Sequence, residues 1–153
     1  MENLLAFILI FYLVKLASQF DLSEDLECGP GQIYNTSASA YYPDYQSALT
    51  RDFVDEKGKK LRSLQEYLDG RSSYVTVAMD AGLGIAYGTP LCIPQLNIHY
   101  GRYINLEVRD TSPDIFGCGY ACVEIAVRTE ADSYDRILNK ELLMVVIQFD
   151  EEE

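Results

Sequence analysis

Three acidic residues stand at the ends of, or inside, short β-branched runs. Asp80 closes Val77-Ala78-Met79-Asp80, Asp110 closes Val108-Arg109-Asp110, and Glu124 lies within Val123-Glu124-Ile125-Ala126-Val127. Carboxyl groups gathered in one cleft can cleave a glycosidic bond, because one protonates the leaving oxygen while another steadies the oxocarbenium-like centre. Close acids also disfavour each other's ionisation, so one of a pair can keep its proton near neutral pH and act as general acid. Each residue has an ordinary reading as well. Asp80 and Asp110 suit Asx turns at strand ends, and Glu124 suits an outward strand position between inward Val123 and Ile125.

The rest of the chemical inventory is narrow. Among 153 residues, 12 Lys and Arg face 24 Asp and Glu, giving a formal net charge of -12, with one His and no Trp. A phosphate-backbone binder needs clustered cations, so nucleic acid is not an expected partner. A single imidazole builds no multi-His metal site. His99 falls in Asn97-Ile98-His99-Tyr100, which reads as a turn between strands, and no Gly-x-Ser-x-Gly nucleophile motif accompanies it. The four cysteines, Cys28, Cys92, Cys118 and Cys122, are an even set suited to disulfides in any of three connectivities. They lack the Cys-x-x-Cys knuckles of a zinc site, so neither metal nor cofactor is expected. Lys57-Gly58-Lys59-Lys60 reads as a solvated basic loop. Of 12 tyrosines, Tyr41, Tyr42, Tyr45, Tyr87, Tyr100 and Tyr103 could line a sugar groove, against a default of amphipathic packing.

The elements that must carry these residues follow from pattern. Residues 4–14 are an unbroken apolar run followed by Lys15, Ala17 and Ser18. That is the shape of a signal peptide over 1–18, too short to span a bilayer, with an uncleaved anchor as the alternative and the only expected membrane contact. An acidic neck, 19–35, reads as flexible and carries the sequon Asn35-Thr36-Ser37. Strands are expected over 36–42, 74–79, 90–94, 103–108, 123–127 and 142–149, and short helices over 61–68 and 129–138. Residues 43–60 read as loop, with Asp55-Glu56-Lys57-Gly58 a turn, and 150–153 as an acidic tail. The fold class expected is mainly β, a small six-stranded barrel with two short helices.

The order of motifs from Val75 onward resembles the three-aspartate domain and its double-psi β-barrel relatives. The carriers are Val77-Ala78-Met79-Asp80, Tyr87-Gly88-Thr89-Pro90, Asp110-Thr111, and Glu124 within its apolar run. Ser112 stands where that pattern has Gly, and Glu124 where it has Asp. The resemblance implies a double-psi barrel over 36–149, like those of the membrane-bound A-type lytic transglycosylases, expansins and family 45 glycoside hydrolases. It implies Glu124 as proton donor, Asp110 as its stabiliser and Asp80 as the brace of the cleft floor. Tyr87, Thr89, Thr111 and Tyr42 would contact sugar. In the transglycosylase version the substrate's own hydroxyl closes on the anomeric carbon. The expectation is a secreted monomer that binds, and by acid catalysis cleaves, a cell-wall-type polysaccharide. The alternatives are an expansin-like binding module without turnover and a disulfide-stabilised effector that binds a protein. A charge of -12 favours a neutral or weakly charged glycan.

Overall fold

The computed structural model of the protein describes residues 6–13 and 26–147. Six strands close a barrel in the order β1-β5-β2-β4-β3-β6. They are β1 (Gly31–Tyr41), β2 (Val75–Met79), β3 (Thr89–Cys92), β4 (Leu106–Thr111), β5 (Cys122–Ala126) and β6 (Lys140–Ile147). The mainly β, six-stranded expectation is met. Two of the pairings, β1 with β5 and β2 with β4, are parallel and join strands distant in sequence. Such pairs need crossover connections, and the short helices over 64–68 and 94–100 lie in the intervening chain. The helices are α1 (residues 6–13), α2 (Leu64–Leu68), α3 (Pro94–Tyr100) and α4 (Glu130–Ser133).

Alternation along the strands separates an inner from an outer face. Val75, Val77 and Met79 of β2, Leu106 and Val108 of β4, and Val123 and Ile125 of β5 join one buried cluster, which Leu64, Leu96, Ile104 and Leu138 close from the connections. The residues between them, Thr76, Ala78 and Glu124, are absent from that cluster and belong to the outer face.

Several boundaries differ from the sequence reading. β1 starts at Gly31, inside the expected neck, because residues 31–38 pair with β6 from Gly31↔Ile147 to Ala38↔Lys140. Alternation is hidden there, since outward Ile33 is 68% exposed and apolar. Gly31 is required by close approach: a Cβ there would stand 2.1 Å from the Val146 carbonyl oxygen. Residues 97–100, expected as a turn, are the second half of α3, which Pro94 starts with its preset φ. The helix expected over 129–138 stops at Ser133. Thr129 and Asp132 form its capping box, but Ser133, Tyr134 and Asp135 are weak helix formers. The signal-peptide residues 1–5 and 14–18, the neck residues 19–25 and the tail 150–153 lie outside the described residues. No helix among the described residues is long and apolar enough to cross a membrane.

Two disulfides resolve the open connectivity as Cys28–Cys92 and Cys118–Cys122. The first is backed by Asn97, which is fully buried. Its Nδ2 donates to the Leu26 carbonyl at 2.9 Å and to Cys92 Sγ at 3.2 Å, while its Oδ1 accepts the Ile104 N–H at 2.8 Å. One side chain thus ties the segment before β1 to α3 and to the approach to β4.

Candidate functional site

Ala78 on β2 is the centre of the arrangement. Its register partner on β4 is Asp110 and on β5 is Glu124, and the partner of Glu124 on β1 is Ser39. In-register residues on neighbouring strands share a face, so the two carboxylates rise on either side of a methyl group on the outer wall. Two strand spacings put their Cα atoms about 10 Å apart. The register shift between Val77 and Ala78 makes Arg109 the extra residue of a bulge, without which Asp110 would fall on the opposite face.

Tyr41, at the end of β1, joins the acids. Its hydroxyl donates to Asp110 Oδ2 at 3.1 Å, and the Thr111 N–H donates to Asp110 Oδ1 at 3.0 Å. Burial pushes the Asp110 pKa up to about 6 despite these two bonds, and the charges of Asp55 and Glu56 push the same way. Burial also raises Glu124, against a hydrogen bond from the Ser112 side chain and with the charge of Asp114. The Tyr41 hydroxyl is raised well above 10 by burial and by Asp110, with Glu124 and Asp55 adding to it. Mutual repulsion between Asp110 and Glu124, expected from the sequence, is not what lifts Glu124. Desolvation does most of the work at both acids.

Ser112 has φ -128°, an ordinary extended conformation that calls for no glycine. Its hydroxyl adds a donor to Glu124.

Asp80 follows β2 directly and is 6% exposed. Its Oδ1 accepts the Gly82 N–H at 2.9 Å and its Oδ2 the Gly119 N–H at 2.8 Å. These bonds, Gly119 first, then Gly82 and Gly117, outweigh burial and hold its pKa below the ordinary value. Asp80 therefore fastens the Cys118–Cys122 loop to the turn after β2, which is the Asx-turn reading joined to a long-range tie.

The expected sugar contacts are spread out. The Tyr87 hydroxyl donates to Asp55 Oδ2 at 2.5 Å and accepts from Arg109 at 3.0 Å, while Lys57 Nζ lies 4.1 Å from its ring centre. Thr89 Oγ1 donates to the Ala86 carbonyl at 2.6 Å, closing the turn in which Gly88 takes φ 89°. Thr111 is exposed beside Asp110. Tyr42 is 40% exposed.

Asp55 is the member that the sequence does not place, and Tyr41, a candidate groove tyrosine by type, stands here as the hydrogen-bond partner of Asp110. Asp55 is 4% exposed, and its Oδ1 accepts the N–H groups of Lys57 and Lys59. That local turn was readable as Asp55-Glu56-Lys57-Gly58. Its position near Asp110 depends on the Glu56 N–H donating to the Arg109 carbonyl at the bulge, a contact no local pattern announces. Among the described residues no group of three or more His, Cys, Asp or Glu is arranged to hold a metal ion. The wall thus offers two protonatable carboxyls on one face, one of them half-protonated near pH 6, with a phenol and a backbone N–H to receive the charge left after proton transfer. The sequence matches no protein-family model and no curated protein.

Proposed function

We propose that this chain is an exported barrel of the double-psi kind that binds and cleaves a cell-wall-type polysaccharide at the wall formed by Asp110 and Glu124. The closed six-stranded barrel with two long-range parallel pairs supports the fold part of this reading. Two disulfides suit an oxidising compartment. The observation that carries the chemistry is the register of Asp110 and Glu124 on either side of Ala78, with the Asp110 pKa lifted to about 6.

The roles read best in the reverse of the sequence expectation. Asp110, whose pKa stands about 6, holds the proton and gives it to the glycosidic oxygen as the C–O bond breaks. The carboxylate that remains accepts the Tyr41 hydroxyl and the Thr111 N–H, two hydrogen bonds that strengthen once it is charged. Glu124, in its carboxylate form with the Ser112 hydroxyl donating to it, steadies the oxocarbenium-like carbon and takes the proton of the incoming hydroxyl, although burial raises its pKa as well.

The test is the release of soluble saccharide from insoluble wall polysaccharide. D110N and E124Q should each reduce release by about 100-fold or more while retention in a pull-down stays within a factor of two or so. Release unaffected by either substitution overturns the acid roles. A second reading, binding without turnover, is favoured by the exposed Tyr42, Tyr45 and Tyr134, at 40%, 62% and 72%. It predicts no release by the wild type and loss of retention when these tyrosines become alanine.

A further inference from the structure

Beyond the C-terminal ends of the parallel strands β1 and β5 lies a cavity of about 310 Å³ whose lining includes Tyr45, Lys60, Glu66, Arg71 and Arg128. Three cations against one acid is a local reversal of sign in a chain of net charge -12. The acid is already engaged: Glu66 accepts from Lys60 Nζ at 2.7 Å and from the Ser63 N–H at 3.1 Å, and Arg62 lies 3.8 Å away. Burial works against the charge of Glu66, yet these donors outweigh it and hold its pKa low. Asp69 receives both Arg71, at 2.8 Å, and Arg128. Within these ion pairs four cations meet two carboxylates.

Asp44 and Asp52 keep their charge but are hydrogen-bonded within their own loop. Asp44 Oδ1 accepts the Gln46 N–H, and Asp52 accepts the Ser47 hydroxyl within the same loop. Each guanidinium has five N–H donors in a planar fork that matches a carboxylate, and the bonds to Asp69 use only part of each. Tyr45, 62% exposed and backed by Phe53 with ring centres 5.9 Å apart, offers an aromatic face at the same place. A fork for a carboxylate beside a flat ring is a recognition surface for a sugar that carries an acid.

We propose that this cavity binds the carboxylate of an acidic sugar unit, a uronic acid or a similar carboxylate-bearing pyranose, within the polysaccharide that reaches Asp110 and Glu124. The inference rests on the glycan reading above. Arg128 lies four residues beyond Glu124 in the chain, so their Cα atoms are no more than about 14 Å apart. One polymer chain can touch both. Its acidic unit settles on the arginines and a unit further along meets the carboxyl pair. The expectation of a neutral glycan treated the charge as uniform, whereas the fold gathers cations from residues 60–71 and 128 into one place.

The test is calorimetric titration with three probes, a galacturonic acid trimer, an uncharged galactose trimer and inorganic sulfate, against wild type, R71Q/R128Q and D110N. The wild type should bind the acidic trimer at least tenfold more tightly. R71Q/R128Q should lose about 20-fold on that probe alone, and D110N should keep the wild-type preference. Added salt should weaken the acidic trimer and leave the neutral one unchanged. If R71Q/R128Q does not fold, R71Q and R128Q singly should each lose about fivefold on the acidic trimer. Equal binding of the two trimers, or unchanged acidic binding in the arginine variants, overturns the assignment and leaves the glycan reading standing. Inorganic sulfate binding as tightly as the acidic trimer also overturns it, because the site would then recognise charge without sugar. If neither trimer nor insoluble polysaccharide binds any form, both readings fall.

Discussion

Asp110 keeps a proton at a pH where an ordinary aspartate has lost it, and this has a cost in stability that can be measured. Its pKa rises from 3.8 to about 6 on folding. Between those values the native state binds more protons than the unfolded chain, so stability falls as pH rises through this window and stays reduced above it. A shift of that size corresponds to at most about 3 kcal/mol, less because the side chain retains some solvent. D110N removes the charge while its oxygen can still accept the Tyr41 hydroxyl or the Thr111 N–H. At pH 8 its melting temperature should exceed that of the wild type by a few degrees, and the gap should close below about pH 4. Thermal melts across pH check this, and a gap independent of pH contradicts it. Asp80 behaves in the opposite sense. Its lowered pKa contributes stability above the ordinary aspartate value, and that contribution is lost as acid protonates it. The two residues look alike in sequence, each closing a strand. Desolvation dominates at Asp110, whereas at Asp80 the N–H groups of Gly119, Gly82 and Gly117 outweigh it, two of them supplied by the loop around Gly117 and Gly119.

At the scale of elements, the barrel wall and its fastenings have different worth. Cys28–Cys92 closes 64 residues and Cys118–Cys122 closes 4. Loop-closure entropy alone assigns about 4 kcal/mol to the first and about 2 kcal/mol to the second. C28S/C92S should therefore lower the unfolding free energy about twice as much as C118S/C122S in denaturant titration, and the reverse order contradicts the assignment. The strands themselves were legible because β-branched alternation survives in 75–79, 106–108 and 123–126, each with one face in the core. α3 was not, because its apolar start continues the run of β3 and only Pro94 marks the change. The start of β1 was hidden by Ile33, an exposed apolar residue where alternation predicts a polar one. The bulge at Arg109 left no mark in the sequence, since it exists only in the register of β4 against β2.

At the scale of the whole molecule, the barrel brings together residues that no local pattern links. Asp110 and Glu124 were readable as candidates from their order in the chain. The place of Asp55, the pairing of Tyr41 with Asp110 and the cationic cavity were not, because Lys60, Arg71 and Arg128, like Tyr41 and Asp110, meet only after the barrel closes. The net charge of -12 gave the sign of the average field and concealed its reversal at one end of the wall. On the proposed account the fold makes an acid catalyst by partly desolvating both carboxyls of a pair that share one face of the barrel wall. The most direct test is the pH dependence of saccharide release from wall polysaccharide by the wild type and D110N. The account predicts that wild-type release falls with a midpoint near pH 6 as pH rises, and that D110N loses both the activity and that limb. Release that persists in D110N with the same midpoint would contradict it.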